Sequence, residues 1–185
     1  MLRIVAVTGM PGAGKSTAVQ GLVSAGWSLV VMGDVVREET RRRGLQPDAQ
    51  NTGEVMRDIR NKLGEAAVAK LCLKSMAESG AERFVVDGVR SMAEVEEFRR
   101  SAKVILVAVH ASPHRRYTLL KERGRSDDPF TYEMFRKRDQ RELGVGISEA
   151  IALADEVVSN EHSTPEDLSR QMTEIVGRWL VSIEP

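Results

Sequence analysis

The stretch Gly9-Met-Pro-Gly-Ala-Gly-Lys-Ser-Thr17 fits the spacing G-x-x-x-x-G-K-[ST] at Gly9, Gly14, Lys15 and Ser16. Its residue types suit a polyphosphate. Glycines at 9, 12 and 14 accept positive φ and let backbone N–H groups approach an anion with no side chain in the way. A helix that begins here adds the positive end of its dipole. Lys15 supplies a point charge for the β/γ-phosphates, and the Ser16 hydroxyl is a ligand for Mg²⁺. Gly9, Gly12, Ala13, Gly14, Lys15, Ser16 and Thr17 are therefore the expected nucleotide-binding residues of a P-loop. An apolar, β-branched run before it (Leu2 to Thr8) and a helical pattern after it supply the strand–turn–helix context that the motif requires.

Further chemistry-bearing residues fall just after apolar runs. Asp87 follows Phe84-Val-Val86, the form of a Walker B acid, and is the second expected Mg²⁺ ligand. Arg37 stands three residues after Asp34, and Arg90 three after Asp87. Guanidinium forks in such places suit an acceptor's phosphate, which makes Asp34, Arg37 and Arg90 the expected substrate-binding residues. Arg123, Arg125 and Arg136, grouped with Asp127, Asp128 and Arg138 around a glycine and a proline, suggest a lid (about 123–138). Such a lid carries positive charge to a transferring phosphoryl group. Lys15, Asp34, Arg123, Arg125 and Arg136 thus form the expected catalytic set. His110, His114 and His162 lack metal-ligand spacing.

These residues need elements to hold them. Short apolar runs at 2–8, 28–32, 83–87, 103–109 and 156–159 read as strands, and helical patterns lie between them. The helices are expected at about 16–25, from an Asp34 cap to Arg43, at 51–78 with bends allowed at Gly53 and Gly64, at 91–100, 113–122, 132–143 and 147–153, and from a Thr164 cap to about Val181. Ser91 with Glu94 matches a capping box, and Gly26 stands where a left-handed helix terminator belongs. Strands alternating with helices imply an α/β fold, a five-stranded parallel sheet between helix layers, with ligands at the carboxyl ends of its strands. The P-loop, Gly33-Asp34, Asp87-Gly88 and Asn160 all fall there. The whole chain, 1–185, is expected to form one domain, with an acceptor-side helical insert at about 34–80.

Composition limits the alternatives. With 27 basic and 27 acidic residues among 185, no overall field draws the chain to nucleic acid or to an anionic membrane. No apolar run reaches the roughly 18 residues of a membrane span, and the first strand begins at residue 2, so no signal peptide precedes it and a cytoplasmic protein is expected. The one cysteine, Cys72, sits in a helical pattern and reads as a small core residue. Nothing in the composition bears on oligomeric state.

Gly9-Met-Pro-Gly-Ala-Gly-Lys-Ser, Gly33-Asp-Val-Val-Arg37, Asp87-Gly-Val-Arg90 and Arg125-Ser-Asp-Asp with Arg136 resemble, in order, the landmarks of adenylate kinases and related nucleoside monophosphate kinases. Ala154-Asp-Glu-Val-Val-Ser-Asn160 resembles dephospho-CoA kinases. Over its whole length the chain is most similar to archaeal adenylate-kinase-related P-loop proteins. The resemblance implies a P-loop NTPase fold of three α/β/α layers with a small helical lid, and ATP with Mg²⁺ as cofactors. It puts Asn160 near the adenine, Arg37 and Arg90 on the acceptor phosphate, Asp34 facing the acceptor, and Arg123, Arg125 and Arg136 in the lid. The pattern departs from adenylate kinases on the acceptor side, where the loop after Asp87 lacks their proline and Glu94 replaces their glutamine. The expected activity is ATP-dependent phosphoryl transfer to a small phosphate-bearing acceptor. A P-loop ATPase gating a protein or RNA partner, to which the Arg41–Arg43 cluster would be suited, is the alternative, and a degenerate binding domain a third.

Overall fold

The computed structural model describes residues 1–124, 129 and 131–183. Five strands, β1 (Arg3–Thr8), β2 (Ser28–Val31), β3 (Arg83–Val89), β4 (Lys103–His110) and β5 (Glu156–Ser159), form one sheet in the order β2-β3-β1-β4-β5. Every strand pair is parallel, and β1 lies in the middle, with Val5 level with Val85 and Ile105. Continuously apolar strands such as β4 follow from cover on both faces.

Side-chain alternation divides the interior in two. Ile4 and Ala6 of β1, with Phe84, Val86 and Leu106, meet α3 (Met32–Arg42), α4 (Ala49–Leu63), α5 (Ala67–Ser79) and α6 (Met92–Ser101) through residues such as Val36, Ile59, Cys72 and Phe98. Val5 and Val7, with Val85, Val107 and Val158, meet α1 (Lys15–Ala18), α2 (Gln20–Ser24) and α10 (Pro165–Ile183) through Val19, Leu22, Leu168, Met172 and Val176. Cys72 is fully buried, and burial pushes its thiol up to about 12, so it is an inert packing residue as expected. The remaining helices, α7 (Pro113–Arg123), α8 (Tyr132–Leu143) and α9 (Ile147–Ala152), follow β4. Among the described residues no helix is long and apolar enough to cross a membrane.

Local chemistry sets the boundaries. Gly26 takes φ 87°, and the N–H groups of Gly26 and Trp27 return to the carbonyls of Val23 and Leu22, which ends α2 in a Schellman motif. Thr164 and Asp167 cap α10 reciprocally, the Thr164 Oγ1 accepting from the Asp167 N–H at 3.1 Å. The long helix expected over 51–78 is two helices. Gly64, at φ 85°, lets the chain break there, whereas Gly53 lies inside α4 without interrupting it. Asp34 does not cap α3, contrary to expectation. The chain passes from β2 into the helix without a loop, so Val31 is the N-cap and Asp34 lies in the first turn. Its charge there still suits the helix dipole.

Candidate active site

β1 ends at Thr8 and the chain turns at once into α1 through Gly9, Gly12 and Gly14, all at positive φ. All three are required by proximity, a Cβ at Gly12 standing 2.8 Å from the Arg116 carbonyl oxygen. A Cβ at Gly9 would stand 2.3 Å from the Val109 carbonyl oxygen, and one at Gly14 would stand 2.4 Å from Nδ2 of Asn160. Asn160, buried at the end of β5, donates from Nδ2 to the carbonyl of Ala13 at 2.9 Å. Its amide nitrogen thus braces the loop, and Asn160 also lines the cavity that opens from it.

Lys15 reaches back over the loop. Its Nζ donates to the carbonyls of Gly9 at 2.6 Å and Met10 at 3.3 Å. Loss of solvent lowers its pKa, Arg90 and Arg138 press in the same direction, and Asp87 and Glu142 oppose them. Ser16 Oγ donates to Oδ2 of the buried Asp87 at 3.1 Å. A hydroxyl and a carboxylate so close, at the mouth of a phosphate loop, are the hard oxygen donors that Mg²⁺ takes alongside phosphate oxygens, so these residues fit that ion. Among the described residues no group of three or more His, Cys, Asp or Glu could hold a metal ion, and the histidines form no metal site there.

A cavity of about 440 Å³ opens from the loop, lined by Lys15, Ser16, Thr17, Arg115, Arg123 and Asn160 among others. Arg123 therefore shares a cavity wall with the P-loop residues. Arg136 is exposed on α8 beside Glu133 and Lys137, along a surface groove. Arg138, two residues on, is half-buried and acts electrostatically on Lys15. Sequence reasoning counted Arg138 in the cluster without assigning it a role. Arg125, Asp127 and Asp128 lie outside the described residues.

At the β2 and β3 ends, Asp34 accepts from Nε of Arg37 at 3.0 Å and also pairs with its Nη2. Arg90 Nε pairs with Glu142 Oε2 of α8 at 3.1 Å. The Ser91 cap forms, its hydroxyl accepting from the Glu94 N–H at 3.3 Å, but the Glu94 carboxylate reaches one residue further than a capping box does and accepts from the Arg90 N–H at 2.8 Å. Glu94 is buried, and desolvation raises its pKa despite that bond and the nearby Arg60 and Arg90. In the Arg41–Arg43 cluster, Arg41 pairs with Glu38 at 2.9 Å, and Arg43 with Glu39 at 2.8 Å and Asp58 at 2.6 Å. Two of its three arginines are thus paired with carboxylates nearby.

The chain is similar to known proteins to different degrees. A family model described as an AAA domain matches residues 8–136. A UPF0200 protein of Methanocaldococcus jannaschii is 44% identical over 183 residues, covering 98% of this chain and 92% of the relative. The crystal structure of TT1252 from Thermus thermophilus superposes with a TM-score of 0.68 at 18% identity, covering 96% of this chain and 97% of that one. Shikimate kinase from Bacteroides thetaiotaomicron gives 0.63 at 14% identity, covering 95% and 98%. At such identities these structures speak for the fold alone, and it is that of P-loop kinases.

Proposed function

The chain belongs to the AAA domain family and, with its archaeal relatives, to the UPF0200 proteins; on that premise we propose that it is an ATP- and Mg²⁺-dependent phosphotransferase. It moves the γ-phosphoryl group to a small acceptor that itself bears phosphate, a nucleoside monophosphate or a dephospho-CoA-like molecule. The observation that carries this reading is the two-sidedness of the site. The Ser16–Asp87 pair has the donor cavity and Arg123 on one side, and Arg37, Arg90 and Asp34 at the neighbouring strand ends on the other. A transferase must hold a second anion in line, and guanidiniums on the side away from the donor cavity suit that task.

Phosphoryl transfer asks mostly for positioning and charge. The P-loop N–H groups and Lys15 hold the donor phosphates. Ser16 and Asp87 would hold Mg²⁺, which would supply charge neutralisation for the phosphate oxygens. Arg37 and Arg90 fix the acceptor phosphate, and Arg123, Arg125 and Arg136 bring positive charge as the lid closes, with Arg138 joining them from the inner face of α8. Where the acceptor oxygen belongs to a phosphate it is already anionic. Where it is a hydroxyl, Asp34 takes its proton.

The test is ATP turnover with Mg²⁺ across nucleoside monophosphates and dephospho-CoA, following ADP and free phosphate separately. ADP formed with one acceptor and without free phosphate is expected. Equal ADP and phosphate, indifferent to every acceptor, would establish an ATPase instead. Lys15→Ala should lower transfer about 10²- to 10³-fold, and Arg37→Ala should raise the acceptor KM.

A further inference from the structure

The acceptor side holds a third guanidinium. Arg60, in the last turn of α4, lines a narrow cavity with Gly33, Gly88, Arg90, Glu94 and Met56. Its Nε is buried and has no hydrogen-bond partner, and its Nη2 lies 3.8 Å from Oε1 of Glu94, too far for a hydrogen bond. Arg37 is not one of the lining residues but stands beside Gly33, since a Cβ there would lie 3.4 Å from its Nη1. Two arginines, from α4 and the β3–α6 connection, thus line the gap between Gly33 and Gly88, with Arg37 of α3 close beside Gly33.

Their compensation differs. Arg37 is hydrogen-bonded to Asp34, and Arg90 pairs with Glu142 at 3.1 Å. Arg60 faces only the loosely placed Glu94, so it is the arginine whose hydrogen-bonding capacity is least used. A buried donor without a partner is costly unless something accepts from it. The cavity measures about 10 Å³, room for one water-sized group. It therefore admits the oxygen tip of an anion, not a ring.

Building on the phosphotransferase reading, we propose that Arg60 is a further acceptor-binding residue. Its guanidinium takes a terminal phosphate oxygen of the acceptor together with Arg37 and Arg90, so α4 contributes to substrate recognition and is more than cover for the sheet. Arg60 is about a quarter exposed, so its arm has room to turn toward an entering anion. Glu94 holds the guanidinium at the cavity wall until then.

The experiment measures inorganic phosphate binding by calorimetry with the P-loop filled by a non-hydrolysable ATP analogue and Mg²⁺, alongside the acceptor and ATP KM values. Arg60→Gln should weaken phosphate binding about 10- to 100-fold, raise the acceptor KM by a similar factor and leave the ATP KM within about twofold. Arg60→Lys, which keeps the charge and loses the fork, should fall between. Unaltered phosphate binding in a folded Arg60→Gln protein would reduce Arg60 to a counter-ion of Glu94 and overturn the proposal. So would the absence of phosphate binding in the unmutated protein. If phosphate binding weakens as expected while no acceptor in the panel is phosphorylated, the Arg60 site stands and the phosphotransferase reading falls.

Discussion

Glu94 shows how one buried side chain sets a dependence on solution conditions. Its pKa lies above the ordinary 4.5 because burial disfavours the charged form. The folded protein therefore holds a proton that the unfolded chain has released. Its contribution to stability is largest below pH 4.5 and declines as pH rises through the raised folded value. Glu94→Gln keeps an acceptor for the Arg90 N–H and has no proton to lose. Urea denaturation across mildly acidic to neutral pH should show a decline in the unmutated protein that flattens in the variant. Parallel pH profiles would mean that Arg60 and Arg90 fully offset the burial of Glu94.

At the scale of elements, the P-loop is tied to α8 through α7. Arg116 is buried, donates to both Asp139 carboxylate oxygens at 2.8 and 2.6 Å and to the Pro11 carbonyl at 3.0 Å, and lies 4.8 Å above the Phe135 ring. Removing one partner strands the other without water, at a cost of about 3–5 kcal/mol. Arg116→Ala should therefore lower stability by about that much in chemical denaturation, whereas Arg116→Met with Asp139→Leu should lower it far less. The single variant should also raise the ATP KM, since Pro11 belongs to the phosphate loop.

Features written in neighbouring residues were readable before any coordinates. The strands follow from apolar β-branched runs, the P-loop from its glycine spacing, and the ends of α2 and α6 from Gly26 and Ser91. What was hidden depends on how helices are turned over the sheet. Arg136 and Arg138 are about 200° apart around a helix, and nothing local says which of them faces the loop. Arg60 stands 30 residues upstream of Arg90 in a segment whose pattern reveals an apolar face but not the cavity it closes. Asp34 misled because a cap is a statement about the residue before a helix, and here the helix starts earlier.

For the molecule as a whole, the pair between Arg90 and Glu142 joins the two sides of the site, since it ties α8 to the end of β3. On the proposed function, an acceptor phosphate reaching Arg90 must compete with that carboxylate. A partly exposed pair of this kind contributes up to about 1 kcal/mol, or roughly fivefold in an equilibrium constant. Glu142→Gln should thus lower the acceptor KM by up to that factor. A higher KM would show instead that Glu142 aims the guanidinium at the substrate.

The division of the interior by β1 has a consequence for how such a protein diversifies. Ile4 and Ala6 belong to one packed cluster and Val5 and Val7 to the other, so the side chains packed under α3 and α4 are a different set from those packed under α1 and α10. Effects at well-separated sites add without coupling. If the proposed function holds, a lineage could exchange the acceptor met by α3 and α4 by ordinary point changes while inheriting the nucleotide-binding half.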